Sequence, residues 1–159
     1  MAEQKTNVMR ILDKAKITYQ AHFYNHQDGA IDGVSVAKKL GQPLQQVFKT
    51  LVTKGADKNY YVFVIPVEKE LDLKAAARAA GTKSIEMIPV AEINKVTGYI
   101  RGGCSPIGMK KQFGTIIDIA AQTQTAICVS GGKIGTQVEL APEALMNLIN
   151  GKMACVTVQ

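Results

Sequence analysis

A lysine inside an apolar run, Val47-Phe48-Lys49-Thr50-Leu51-Val52, is the first residue whose type and place suggest chemistry. With the two-residue period of a strand, Val47, Lys49 and Leu51 share one face, and Phe48, Thr50 and Val52 the other. Both faces are largely apolar, so the segment reads as a strand buried on both sides. An unpaired ammonium there is costly. Two arrangements relieve the cost: an anion or carbonyl held in a cleft beside it, or a stem that carries the charge out to the sheet edge.

Two glycine-bearing bends are the next candidates. Gly102-Gly103-Cys104-Ser105-Pro106-Ile107-Gly108 combines three glycines with a proline in a tight loop. Either its backbone N–H groups turn outward as a nest for phosphate, carboxylate or a developing oxyanion, or it is a structural turn. The spacing matches neither a P-loop nor a dinucleotide fingerprint. Val129-Ser130-Gly131-Gly132-Lys133 follows a candidate strand, so Ser130 either hydrogen-bonds a ligand or closes a turn. It is not a nucleophile elbow, because Ile127-Cys128-Val129 precedes it. Cys104 invites a nucleophile reading but has no histidine near it in sequence, and a buried thiol is usually inert.

What is missing narrows the chemistry. A hydrolytic triad needs a base and a group that orients it. The two histidines, His22 and His26, both sit in the N-terminal third. No carboxylate pair of the glycosidase kind stands out. An enzyme built from these parts offers a lysine and oriented dipoles, and suits a substrate that brings its own nucleophile. Cys104, Cys128 and Cys155 are three widely spaced cysteines, which is no disulfide framework and fits a reducing compartment. No residues stand at metal-motif spacing, so no metal and no cofactor is expected.

The 159 residues favour one domain over 1–159, long enough to bury a full core. Nineteen Lys plus Arg against 13 Asp plus Glu give a formal charge of +6. That excess suits an anionic partner such as RNA, though many unrelated proteins carry it. Lys95, Arg101, Lys110 and Lys111 fall between Ile93 and Ile117 without a single acid, which predicts either a local cationic surface for such a partner or an ordinary solvated face. Apolar runs stop well short of the roughly 20 residues that span a bilayer. The start, Met1-Ala2-Glu3-Gln4-Lys5, is polar and lacks a signal-peptide stretch, so a cytoplasmic protein with no membrane partner is expected.

Helices are predicted over 5–16, 35–40, 72–80, 89–96 and 142–149, from apolar spacing, Asp72 as a cap, Gly41 and Gly81 as stops, and prolines at helix starts. Residues 18–24 alternate in the manner of a strand, and strands are predicted at 47–54, 60–67, 84–88, 115–119, 125–130, 136–140 and 153–158. Those at 47–54 and 60–67 flank Gly55–Asn59, a good hairpin loop. About seven strands and five helices without strict alternation argue for an α+β fold.

The set Val47-Phe48-Lys49-Thr50-Leu51, Thr97-Gly98-Tyr99-Ile100-Arg101-Gly102-Gly103-Cys104-Ser105-Pro106-Ile107-Gly108 and Val129-Ser130-Gly131-Gly132-Lys133 resembles the YbaK/EbsC family. The likeness covers nearly the whole chain, including Leu71–Ala76 and Val138–Pro142. It implies an irregular, barrel-like mixed sheet surrounded by helices, similar to the editing domain inserted in bacterial prolyl-tRNA synthetases. The implied activity is hydrolysis in trans of mischarged Cys-tRNA(Pro). Its implied partners are the tRNA(Pro) acceptor end and the prolyl-tRNA synthetase. Cysteine and proline are close in size, so a second hydrolytic sieve is needed where binding alone discriminates poorly.

Position by position, the resemblance makes Lys49 the functional lysine that holds the terminal adenosine or its phosphate. Gly102–Pro106, with Gly103, Cys104 and Ser105, becomes the G-x-x-x-P loop beside the ester. Ser130, followed by Gly131, becomes the serine that contacts substrate, and Tyr24 a substrate-side tyrosine. The chain departs from the family at Asn25, where an acid is usual, at Ile134, where Arg is frequent, and at Gln137, near a frequent Asp. Cys104 replaces an apolar residue. In the family the substrate's thiol is thought to attack its own carbonyl, which fits the missing base. Two other readings stand beside this one: clearance of Ala-tRNA(Pro), and a non-catalytic RNA-binding module.

Overall fold

Helix α1 (Asn7–Lys14) starts where the Thr6 hydroxyl accepts from the Met9 N–H. The computed structural model describes residues 5–159, so the polar residues 1–4 noted above lie outside the described residues. Strand β1 (Gln20–Phe23) follows, then α2 (Gly33–Leu40). Asp32 caps α2 and Gly41 ends it in the left-handed conformation. Pro43 precedes a single 3-10 turn, Leu44–Gln46. The hairpin then forms as read: β2 (Phe48–Gly55) and β3 (Tyr60–Pro66) pair antiparallel, with Lys49 opposite Ile65. Asp72 accepts from the N–H groups of Lys74 and Ala75 to open α3 (Leu73–Ala80).

Next come β4 (Ile85–Met87), α4 (Val90–Thr97) and β5 (Gly114–Asp118). Asp118 caps a 3-10 turn over Ile119–Thr123. Then β6 (Ile127–Ser130), β7 (Thr136–Leu140), α5 (Pro142–Leu148) and β8 (Lys152–Ala154) complete the order.

Among the described residues eight strands form two sheets, one ordered β1-β7-β6 and the other β4-β2-β3-β5-β8. The first is antiparallel. The second is mixed, since β3 pairs with β5 and β5 with β8 in parallel. One parallel bridge, Val47 to Cys128, links the start of β2 to β6 and joins the two sheets. This is the irregular α+β barrel-like arrangement expected. The expected last strand, 153–158, is shorter than predicted: pairing with β5 stops at Ala154, and Thr157 instead bridges Leu71. Asp118 takes the Val156 N–H, while Val156 O and the Val158 N–H bond to Asp72 and Glu70, so the tail crosses to the start of α3.

Between the sheets α1 contributes Val8, Met9 and Leu12 to a core with Phe48, Val64, Ile107, Ile117, Val129 and Val138. Full burial of such side chains contributes roughly 1.5–3 kcal/mol each. On the opposite face of the five-stranded sheet α3 packs Ala76 and Ala77 against Phe63, Ile65 and Ile116. α2 packs Ala37 on Val47, Val67 and Cys128, over the seam between the sheets.

Candidate active site

The seam sets the site. Val47 bridges Cys128 in parallel, with Lys49 two residues further along β2 and Ser130 two residues further along β6. A cleft of about 850 Å³ opens there. Lys49, Gly102 and Ser130 all line it, together with Tyr24, Arg101 and Cys104. The three elements singled out in sequence therefore meet at one concave surface.

Here β2 departs from the expectation of a strand buried on both sides. Phe48 and Val52 are buried, but Lys49, Thr50 and Leu51 are half-buried because the cleft opens along them. Lys49 forms no ion pair among the described residues. Burial lowers its pKa below the ordinary 10.5 of a lysine, against a smaller pull upward from the Glu70 carboxylate. The ammonium is thus a partly desolvated cation with no carboxylate bonded to it, which favours an anionic or carbonyl-bearing ligand.

Local bonding explains why the 99–108 segment holds its shape. Thr97 ends α4, donates to Ile93 O and accepts from the Tyr99 N–H. The Tyr99 hydroxyl donates to Ile107 O, and Ile107 is anchored in the central core. The Ser105 hydroxyl is buried and accepts from the Ile107 N–H. Gly103 donates its N–H to Ile100 O. The N–H groups of Gly102 and Cys104 make no hydrogen bond within the described residues, and both residues line the cleft. Gly102 has φ +89°, and a Cβ there would stand 2.6 Å from Ile31 Cδ1.

The Cys104 thiol is pushed up to about 11 by burial, with Thr97 opposing. It stays protonated at neutral pH and is no nucleophile. Cys128 is fully buried and pushed up to about 12, by burial and then by the Glu139 carboxylate. Ser130 accepts from the Gly132 N–H at 3.1 Å, which leaves its own proton to donate.

Gly103, Ser105, Pro106 and Gly131 are buried and do not line the cleft; they stand behind its wall. Gly103 packs on the Lys133–Ile134 backbone, and a Cβ at Gly131 would meet Thr136 Oγ1 at 2.7 Å. The departures have structural partners. Ile134 supports Gly102 from below, where a Cβ on Gly102 would be 3.5 Å from Ile134 Cγ1. Gln137 is buried on the cleft wall, and its amide exchanges two hydrogen bonds with Gln42. Asn25 accepts from the Gln27 N–H, and His26 packs against Gly135. His22 pairs with Glu139 at 2.8 Å on β1 and β7.

Sequence reasoning missed Thr50, which lines the cleft with a buried hydroxyl that has no hydrogen-bond partner among the described residues. Its signal was available: a polar residue next to Lys49 on a strand otherwise apolar on that face. Arg101, one of the cations of the acid-free stretch, is exposed and lines the cleft as a second cation. Lys95, Lys110 and Lys111 are likewise exposed, as the acid-free stretch predicts.

A partly desolvated cation, two unpaired N–H donors and a hydroxyl from residues lining one cleft suit the recognition of an ester on a phosphate-bearing carrier. Residues 31–148 match the family model of the aminoacyl-tRNA editing domain. A protein of Enterococcus faecalis (strain ATCC 700802 / V583) is 48% identical over 155 residues, 98% of this chain and 94% of its own length. It carries the name "Putative Cys-tRNA(Pro)/Cys-tRNA(Cys) deacylase EbsC". Among solved structures, hypothetical protein APE2540 superposes with a TM-score of 0.87 at 21% identity, covering 96% of this chain and 100% of its own. A structure described as "a putative trans-editing enzyme for prolyl tRNA synthetase" gives 0.81 at 19% identity, over 98% and 100%. At those identities the two structures speak for the fold alone. The chain belongs to the aminoacyl-tRNA editing domain family, in the YbaK/EbsC branch that its motifs resemble, and is an aminoacyl-tRNA deacylase.

Proposed function

We propose that this chain is a single editing domain that hydrolyses mischarged Cys-tRNA(Pro) in trans, meeting its substrate in the cytoplasm beside prolyl-tRNA synthetase. The observation that carries the reading is the convergence of Lys49, Gly102 and Ser130 on one cleft. Among the described residues no helix is long and apolar enough to cross a membrane.

In this reading Lys49 and Arg101 hold the terminal nucleotide of the acceptor end, with Tyr24 lining the same cleft. The free N–H groups of Gly102 and Cys104 bind the oxyanion, and Ser130 donates to the substrate. The cysteinyl sulfur attacks its own carbonyl carbon. The C–S bond forms, the bond to the ribose oxygen breaks, and the thiol proton passes to that leaving oxygen. Water then opens the cyclic thioester to cysteine. The protein contributes positioning and oxyanion stabilisation, which need no side-chain base. Gly103, Ser105, Pro106 and Gly131 hold the wall in place.

Cysteinyl-tRNA(Pro), incubated with catalytic amounts of the protein, should lose its amino acid with multiple turnovers. The check is the ester half-life with and without protein. An unchanged half-life alongside salt-sensitive tRNA binding would make the chain a binding module instead.

A further inference from the structure

A second concavity, a groove of about 540 Å³, runs between α3 and the segment leading into β4. Lys74 and Arg78, one turn apart on α3, and Lys83 on the facing segment contribute three cations to its lining, and no carboxylate joins them. All three are exposed. Thr82 lies in the same lining, but its hydroxyl oxygen is closed off from solvent and is not presented to the groove. Its methyl is turned toward Gly55, at 3.1 Å from where a Cβ would stand. Three exposed cations without an acid in the lining give the groove a positive potential that suits an anion.

The groove is placed to act with the cleft. Along β2, Lys49 and Leu51 share the face that carries Ile65 and Phe63, against which α3 packs. Lys49 and the groove therefore lie on one side of the five-stranded sheet. From Lys49 to Gly55, where Thr82 is in contact, the strand covers roughly 20 Å at about 3.3 Å per residue. A chain whose last nucleotide sits in the cleft has further backbone to place at that distance.

We propose that the groove lined by Lys74, Arg78 and Lys83 is an RNA-backbone site that takes phosphates of the acceptor stem upstream of the bound 3′ end. The inference rests on the deacylase reading and extends it from the ester to the body of the tRNA. Contacts of this kind position a nucleic acid without reading its sequence. A small ester that fills only the cleft does not need them.

The test compares full-length cysteinyl-tRNA(Pro) with a cysteinylated CCA trinucleotide on wild type and on Lys74→Glu/Arg78→Glu/Lys83→Glu. A glutamine version at the same positions controls for the reversed charge. On full-length tRNA the glutamate variant should lose tenfold or more in kcat/KM, and the glutamine variant less. The slope of log affinity against log salt for uncharged tRNA should flatten by about two to three, one per lost phosphate contact. On the trinucleotide both variants should match wild type. Unchanged full-length kinetics and salt slope would overturn the site, as would equal losses on both substrates. A loss seen only with added prolyl-tRNA synthetase would assign the groove to a protein and overturn it too. If wild type cleaves neither ester, the deacylase reading fails, while the tRNA affinity and its salt slope still decide the groove.

Discussion

Replacing Lys49 with methionine should abolish most deacylation while leaving the protein folded and no less stable. The methionine keeps the stem that packs along β2 and removes only the charge. A charge-assisted hydrogen bond contributes about 1.5–3 kcal/mol, and each 1.36 kcal/mol is tenfold in rate. The expected loss in kcat/KM is therefore about tenfold to somewhat over a hundredfold. The stability expectation follows from the lowered pKa of Lys49. A lysine is charged below its pKa, and here the folded state binds that proton less tightly than the unfolded chain. The penalty is fully present below the folded pKa and fades as the pH rises toward 10.5. At neutral pH the ammonium is thus kept at a cost to the fold, as functional groups often are. Thermal denaturation and single-turnover deacylation check the two halves separately. Near wild-type turnover in Lys49→Met would remove the lysine from the site.

Gly102→Ala should be the most damaging change in the loop. At φ +89° an L side chain is strained, and its Cβ would press on Ile31 from 2.6 Å, at the cleft wall. Strained backbone positions cost about 1–3 kcal/mol. In a chain of this size each 1 kcal/mol lowers Tm by roughly 2–4 °C. The larger effect is on chemistry, because a displacement of about 1 Å in a positioned group can cost a hundredfold. The loop carries the free N–H groups of Gly102 and Cys104, so the expected loss is of that order. Gly41→Ala provides the contrast: φ is +65°, nothing lies within 4 Å, and the residue sits at the end of α2. It should share the strain and keep the activity. Equal activity of Gly102→Ala and wild type, by rate and Tm together, would detach the loop from catalysis.

Local signals carried most of the elements into view. The β2–β3 hairpin follows from alternation around Gly55–Asn59, and α3 follows from Asp72 and Gly81, because caps and turns are written within a few residues. The ends of β8 were less legible. Residues 155–158 alternate plausibly, yet Asp118, distant in sequence, takes the Val156 N–H and turns the tail away. The seam is a long-range event of the same kind. Nothing near Val47 announces that it bridges Cys128, though this bridge brings the start of β2 against β6, the strands that carry Lys49 and Ser130 to one cleft.

The candidate site divides in a similar way. Lys49 was conspicuous because a charge inside an apolar strand demands an account. The two bends were conspicuous through their glycines. Which loop residues face the cleft was not readable, since the 102–108 segment has no periodicity: Gly102 and Cys104 line it, while Gly103, Ser105 and Pro106 are buried behind. Gln137 looked like a departure with functional weight. The fold shows its amide committed to Gln42, a partner 95 positions away.

The central claim is that the bound amino acid supplies the nucleophile and the cleft supplies only charge and geometry. Single-turnover deacylation of cysteinyl-tRNA(Pro), S-methylcysteinyl-tRNA(Pro) and alanyl-tRNA(Pro) by the wild-type protein tests it most directly. Intramolecular attack reaches effective molarities of about 10⁵ M and above, so blocking or removing the thiol should slow cleavage by at least a hundredfold, with tRNA affinity unchanged. Comparable rates on all three esters would mean that water or a protein group attacks, and would contradict the account.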